Sequence, residues 1–259
     1  MTAFYLFIAV MKFPQLLFLF TVLSLIAVPQ SLFSLSDFNW CLKAQYGVAK
    51  FTANQTKVPN NSEASTFDLP EASTSKLRLY LSAIFQKKHE FRLLLAPLEY
   101  EESINLDKEI TFNGTTFSSD QDTIIGYRFN SYRLSYIYHF NVKKRSQYRL
   151  GLVGKVRDAH VFLQSDSSYS KYANTGFVPL LHLGMKRVWR ESLCWDAELE
   201  GAWASQGYVL DFRTSLDHQV NNGWHLGLGA GFLDGGADND NIKTSSTIFS
   251  VFFNIYNHF

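Results

Sequence analysis

The sequence predicts an all-β fold: a transmembrane, antiparallel up-and-down barrel of about ten strands, with eight or twelve as the alternatives, following a cleaved signal peptide. Three observations predict it. From residue 37 onward apolar and polar residues alternate with period two, the mark of strands with one apolar face. The segments between these runs are alternately short and long. Aromatic residues reach 16% of the chain, with 23 Phe and 13 Tyr, and they gather on the apolar phase near the short connections.

The 259 residues carry no composition shift or linker, so residues 37–259 read as one domain. A net charge of +1 gives no electrostatic case for nucleic acid, and none is expected as a partner, because phosphate binding needs a concentrated basic face. No motif calls for a cofactor. Residues 1–36 read as a Sec-type signal peptide: Met11, a possible true start, and Lys12 precede an apolar core over 16–28, then Pro29 and the small residues Ser34 and Ser36. Pro14, Gln15 and Pro29 leave the stretch short of the roughly 20 apolar residues of a membrane anchor. Trp40 before Cys41 is too bulky for a lipoprotein site.

Ten strands follow, over 38–51, 75–86, 90–103, 123–141, 148–163, 176–189, 193–205, 207–218, 222–233 and 245–259. In the first, Phe38, Trp40, Leu42, Ala44, Tyr46 and Val48 share one face against Asn39, Cys41, Lys43 and Gln45. In the seventh, Trp195, Ala197, Leu199 and Trp203 oppose Asp196, Glu198 and Glu200. Long polar loops are expected at 52–74, 104–122, 164–175 and 234–244, with the composition of the first favouring mobility. A two-residue turn at Asn113 and Gly114 sets Phe91 opposite Tyr136, Leu93 opposite Leu134 and Leu95 opposite Tyr132. A turn tip at Gln206 and Gly207 sets Trp203 opposite Leu210 and Gly201 opposite Phe212.

The two faces of these strands then acquire roles. Trp40, Phe85, Phe91, Tyr138, Phe140, Tyr148, Trp195, Trp224 and Phe259 are placed to form an interfacial aromatic girdle. The polar phase carries Arg78, Arg92, Arg133, Arg149, Lys155 and Arg157 on early strands and Asp196, Glu198, Glu200 and Asp211 on later ones. Complementary sets of this kind predict ion pairs across a lumen.

The last strand, with Phe249, Val251, Phe253, Ile255 and the terminal Phe259 on one phase, resembles the C-terminal assembly signature of Gram-negative outer-membrane proteins. Asn257 departs from it, since such proteins carry an apolar or aromatic residue there. The resemblance implies residence in the bacterial outer membrane, contact with its lipid, and recognition by the barrel assembly machinery.

Candidate chemistry is sparse. Asp158 and His160 resemble the Asp-x-His part of the omptin family of outer-membrane proteases, in which a carboxylate orients a histidine that activates water. That family also needs a second acidic pair, for which Asp238 and Asp240 are the local match. No histidine has a serine two residues on, as outer-membrane phospholipases and lipid A deacylases require. Asp234, Asp238 and Asp240 sit in a Gly- and Asn-rich tract with calcium-like ligands but without the spacing of a known calcium loop. Cys41 and Cys194, on the first and seventh strands, are predicted to stay unpaired. Three functions remain: a non-catalytic barrel with a plugged lumen whose surface loops contact a ligand or host surface, a narrow pore for small solutes, or a hydrolase acting through Asp158 and His160.

Overall fold

The computed structural model describes residues 38–259 except Asp120, Lys144 and Asn222, so the predicted signal peptide lies outside the described residues. The described residues form fourteen strands: β1 (Phe38–Lys57), β2 (Phe67–Asp68), β3 (Ala72–Phe85), β4 (His89–Ala96), β5 (Glu99–Asn105), β6 (Ile110–Phe112), β7 (Thr115–Phe117), β8 (Asp122–Lys143), β9 (Ser146–Gln164), β10 (Tyr169–Arg190), β11 (Leu193–Ala204), β12 (Gly207–Gln219), β13 (Trp224–Asn239) and β14 (Ile242–His258). β4 and β5 are one wall strand interrupted at Pro97 and Leu98, and both pair with β8. The wall runs β1-β3-β4/β5-β8-β9-β10-β11-β12-β13-β14 and closes through β14 and β1, giving a ten-stranded antiparallel barrel. Closure removes the free sheet edges that lipid does not tolerate.

Period two sets the faces. Leu93, Leu134, Leu152, Leu181, Leu228 and Val251 point outward and are exposed, whereas Arg92, Arg133, Ser135, Lys155 and Asn254 point inward and are buried. An apolar exterior around a polar interior inverts the pattern of a soluble barrel and matches a wall immersed in lipid. The residues expected to form an aromatic girdle lie on the outward phase near the short-turn rim. There Phe38 packs on Phe85 at 5.3 Å and Phe140 on Tyr148 at 6.0 Å.

The register expected from Asn113 and Gly114 holds: Phe91 pairs with Tyr136, Leu93 with Leu134 and Leu95 with Tyr132. Both tip residues adopt positive φ, 47° and 80°, as a two-residue hairpin turn requires. The other hairpin differs by two residues. Trp203 pairs with Tyr208 and Gly201 with Leu210, so its tip is Ser205 and Gln206. Gly207 instead begins β12, where φ is 148° and a Cβ would stand 2.2 Å from the Gly236 carbonyl oxygen. The glycine serves a close strand approach and not the turn.

Two of the expected long loops are strands. Only residues 165–168 separate β9 from β10, and only 240–241 separate β13 from β14. Both hairpins rise beyond the apolar belt, where either face of a strand can be polar, so their Ser, Asn and Asp content imitates a loop. The tract containing Asp234 and Asp238 therefore belongs largely to β13.

The segment over 52–74 is also not a free loop. Val58, Phe67 and Leu69 are buried together with Phe112 and Phe117 of the β6–β7 hairpin and with the barrel-wall residues Phe51, Tyr100, Ile125 and Tyr127. Asn113 N donates to Val58 O at 2.8 Å and Ser65 N to Thr111 O at 2.9 Å, binding the two segments into one cap over the outer mouth.

Candidate functional site

The lumen divides into three levels. Nearest the short-turn rim is a polar vestibule of about 250 Å³, with Cys41, Lys43, Glu90, His139, Lys186 and His258 among its lining residues. It reaches inward as far as Arg92, Arg149, Asp196 and Glu198. Above it, five arginines meet five carboxylates. Arg92 bridges Glu90 and Glu198, both at 2.8 Å. Arg149 reaches Asp196 at 2.8 Å and Glu198 at 3.3 Å, and Arg213 reaches Glu198 at 3.0 Å. Arg133 pairs with Glu200 and, at 2.7 Å, with Asp211, which also takes Arg78 at 3.2 Å. Nine of the ten side chains are withdrawn from solvent, and Asp196, at the vestibule edge, is 13% exposed. The third level is the apolar cap.

The β-phase explains the convergence. Glu198 and Glu200 are two apart on β11, Asp211 and Arg213 two apart on β12, and Arg78, Arg92, Arg133 and Arg149 lie on four successive wall strands. Curvature brings the basic arc against the acidic one. Buried pairs of this kind persist when the remaining hydrogen-bond capacity is also met. Tyr80 contributes by donating to Gln45 Oε1 at 2.9 Å while it accepts from Arg78 at 2.8 Å and from Arg213. His139 contacts Glu90 at 2.7 Å, and His182 contacts Glu200 at 3.1 Å.

Eight of the ten predicted lumen charges join this belt: Arg78, Arg92, Arg133, Arg149, Asp196, Glu198, Glu200 and Asp211. Lys155 and Arg157 face the same lumen at a higher level and, among the described residues, form no ion pair. Glu90, Arg213, His139 and His182 were not expected, although Glu90 shares a phase with Arg92 and Arg213 shares one with Asp211. That i, i+2 relation was the available signal.

Asp158 and His160 lie on the even-numbered, outward phase of β9, opposite in parity to Lys155 and Arg157. Asp158 accepts a hydrogen bond from Asn130 Nδ2 at 3.3 Å, and the His160 ring lies 6.1 Å from Phe162. Partial burial, then the nearby Lys171 and Arg128 cations, lower the His160 pKa. Asp238 is engaged by Lys243 at 3.2 Å and by Asn60 Nδ2 at 3.1 Å, on a strand separated from β9 by three others. Asp234 accepts from Thr247 at 2.7 Å. Among the described residues no group of three or more His, Cys, Asp or Glu side chains is arranged to hold a metal ion. Cys41 and Cys194 are both free.

No protein-family model and no curated protein matches the chain. Solved structures do. The outer-membrane protease OmpT of Escherichia coli superposes with a TM-score of 0.57 at 8% identity, covering 87% of this chain and 99% of that one. The fold is that of an outer-membrane β-barrel. The attachment invasion locus protein Ail of Yersinia pestis, in complex with a heparin analogue, matches with a TM-score of 0.42 at 8% identity over 84% of this chain and 99% of its own. The translocator domain of the autotransporter NalP from Neisseria meningitidis matches with a TM-score of 0.42 at 11% identity, covering 85% and 89%.

Proposed function

We propose that this protein is a non-conducting, non-catalytic barrel of the Gram-negative outer membrane whose outer cap and hairpins form its interaction surface. What supports this reading is a pair of obstacles in series: ion pairs reach across the lumen at mid-height, and an apolar cluster of the 52–74 segment and the β6–β7 hairpin packs at the outer mouth. A narrow pore needs its wall charges to face water and remain free for a passing solute. Here each belt arginine is engaged by at least one carboxylate. The hairpins beyond the apolar belt and the cap offer Ser, Asn, Thr and Asp to the exterior, a surface suited to a polar ligand or another cell's coat. The final strand's aromatic phase supports delivery by the barrel assembly machinery.

Single-channel recording on refolded protein in a planar bilayer tests the reading, after a heat-shift gel establishes folding. A silent bilayer is expected. Steady, ion-selective current through the unmodified protein would replace this reading with the pore.

A further inference from the structure

β10 and β11 stop pairing three residues before β11 ends, and β10 then runs on past the β11–β12 tip. Their ladder runs from Arg190 with Leu193 to Leu181 with Gly201 and stops there. β10 continues outward, paired with β9 as far as Tyr169 with Gln164. Residues 202–204 of β11 pair with β12 alone. Over 169–180, then, the β10 edge facing β11 has no ladder among the described residues. Pro179, which has no N–H to leave unpaired, lies in that edge, as proline does where strands stop pairing.

The gap beside this edge opens toward lipid. Phe177 pairs with Val156, and Val156 with Tyr132, all three outward and exposed, so the gap lies at the outer part of the apolar belt. Its lips are Phe177, 70% exposed, and Trp203, 88% exposed, the latter packed on Tyr208 at 5.7 Å. Behind the lips is a cavity of about 340 Å³, the size of a small-ligand site. Phe129, Val178, Ala202, Leu233 and Ile248 supply apolar walls, and Lys155 and Arg157 also line it.

These two cations break the rule of the belt below them. Lys155 is only 1% exposed, and its Nζ lies 4.7 Å from the Phe129 ring centroid. Among the described residues no carboxylate lies within ion-pair distance of it. Arg157 Nη2 donates to Asn174 Oδ1 at 2.6 Å, and among the described residues no carboxylate lies within ion-pair distance of its guanidinium. Lys155 is buried and Arg157 half-buried; holding an ammonium there without a counter-charge is costly, and an anion set beside it offsets that cost.

We propose that the gap is a lateral portal for a single-chain anionic amphiphile from the outer leaflet. Its alkyl chain passes between Phe177 and Trp203, and its carboxylate or phosphate head rests on Lys155 and Arg157. This goes beyond the interaction surface proposed above and does not depend on it.

Native mass spectrometry of the folded protein, released from a neutral maltoside detergent, tests the proposal. The probes are palmitate, a lysophosphatidate and an uncharged monoacylglycerol. One anionic amphiphile per barrel is expected, with the uncharged lipid absent; whichever of the first two is retained identifies the head. Lys155→Met should weaken retention about tenfold or more, the worth of a charge-assisted hydrogen bond. It should leave the unfolding midpoint unchanged or raise it, because a buried amine without a counter-charge is replaced by an apolar side chain. Gly176→Leu should abolish retention by filling the cavity. A Cβ there meets Arg157 Nη2 at 3.5 Å and Asn174 Oδ1 at 3.6 Å, ordinary contacts that leave the wall intact. Equal retention of the uncharged lipid, or wild-type retention in both variants, overturns the proposal.

Discussion

Replacing Asp211 by Ala tests whether the lumen is dry. Asp211 accepts from Arg78 at 3.2 Å and from Arg133 at 2.7 Å. Arg133 retains Glu200, but Asp211 is the only carboxylate in ion-pair contact with Arg78 among the described residues. The substitution thus leaves a guanidinium, itself 3% exposed, without a counter-charge. Orphaning one member of a buried pair costs about 3–5 kcal/mol, which is roughly two to three and a half powers of ten in the unfolding equilibrium. The assay is reversible urea unfolding of the protein in lipid vesicles, followed by tryptophan fluorescence. Asp238→Ala provides the reference: its pair with Lys243 is exposed on both sides, and such pairs contribute about 0–1 kcal/mol. Adding Arg78→Met to Asp211→Ala should recover most of the loss, since the orphan is removed with it. A cost for Asp211→Ala no larger than that for Asp238→Ala would refute the reasoning. It would mean that water screens the belt and that the lumen is hydrated.

Other expectations follow from the same geometry. Arg133→Ser with Glu200→Ser opens the belt but leaves the cap, so bilayers should stay silent; current should appear only when Phe67→Ser and Phe112→Ser are added, and current from the first pair alone would show that the cap does not seal. Gly47→Ala places a Cβ 1.9 Å from the Val251 carbonyl oxygen at the seam between β1 and β14, so it should lower the unfolding temperature and weaken the heat-shifted band, and an unchanged band would refute the tight seam. In the folded protein His160 should titrate below its ordinary value of about 6.5, read from its ring proton shifts by NMR. Its folded form resists protonation, so its neutral state is compatible with full stability above that range, and stability falls as pH drops through it; a titration midpoint above 6.5 would contradict the placement beside Lys171 and Arg128. Mass spectrometry without reductant should find Cys41 and Cys194 unlinked, and a bridged pair would contradict the strand order.

Much of the wall was legible because a barrel in lipid repeats one rule on every strand. Apolar residues outside and polar residues inside gave the strand number and most of the lumen charges by parity alone. The Asn113 turn fixed a register over strands of more than a dozen residues, because a two-residue tip permits no slack. Legibility failed where that rule stops. Beyond the apolar belt both faces of β10 and β13 are polar, so strand and loop look alike. Gly207 looked like a turn residue because the need for close approach to the Gly236 carbonyl lies on another strand, invisible along the chain. The cap was hidden for a related reason: Val58, Phe67 and Leu69 are too widely spaced to form a period and become a core only beside the β6–β7 hairpin. For the candidate site, parity already separates Asp158 and His160 from Lys155 and Arg157. What parity does not carry is pairing, so the absence of a counter-charge for Lys155 emerged only in three dimensions.

The seam between β14 and β1 bears on how the protein is made. Trp40 and Phe259 exchange backbone hydrogen bonds at 2.8 and 2.9 Å, and higher on the seam Ser246 bonds Asn54 across 192 residues of chain. Neighbouring strands elsewhere are mostly joined by turns of a few residues. Relative to a turn of about six residues, closing the seam spans some five doublings of loop length, roughly 3 kcal/mol of additional chain entropy. Contacts so distant in sequence form slowly and late. Until the last strand docks, β1 exposes a row of unpaired amides along its whole length. An open sheet with that edge is the form of this chain most prone to pair with the wrong partner, and the aromatic-rich final strand is the segment that ends the exposure.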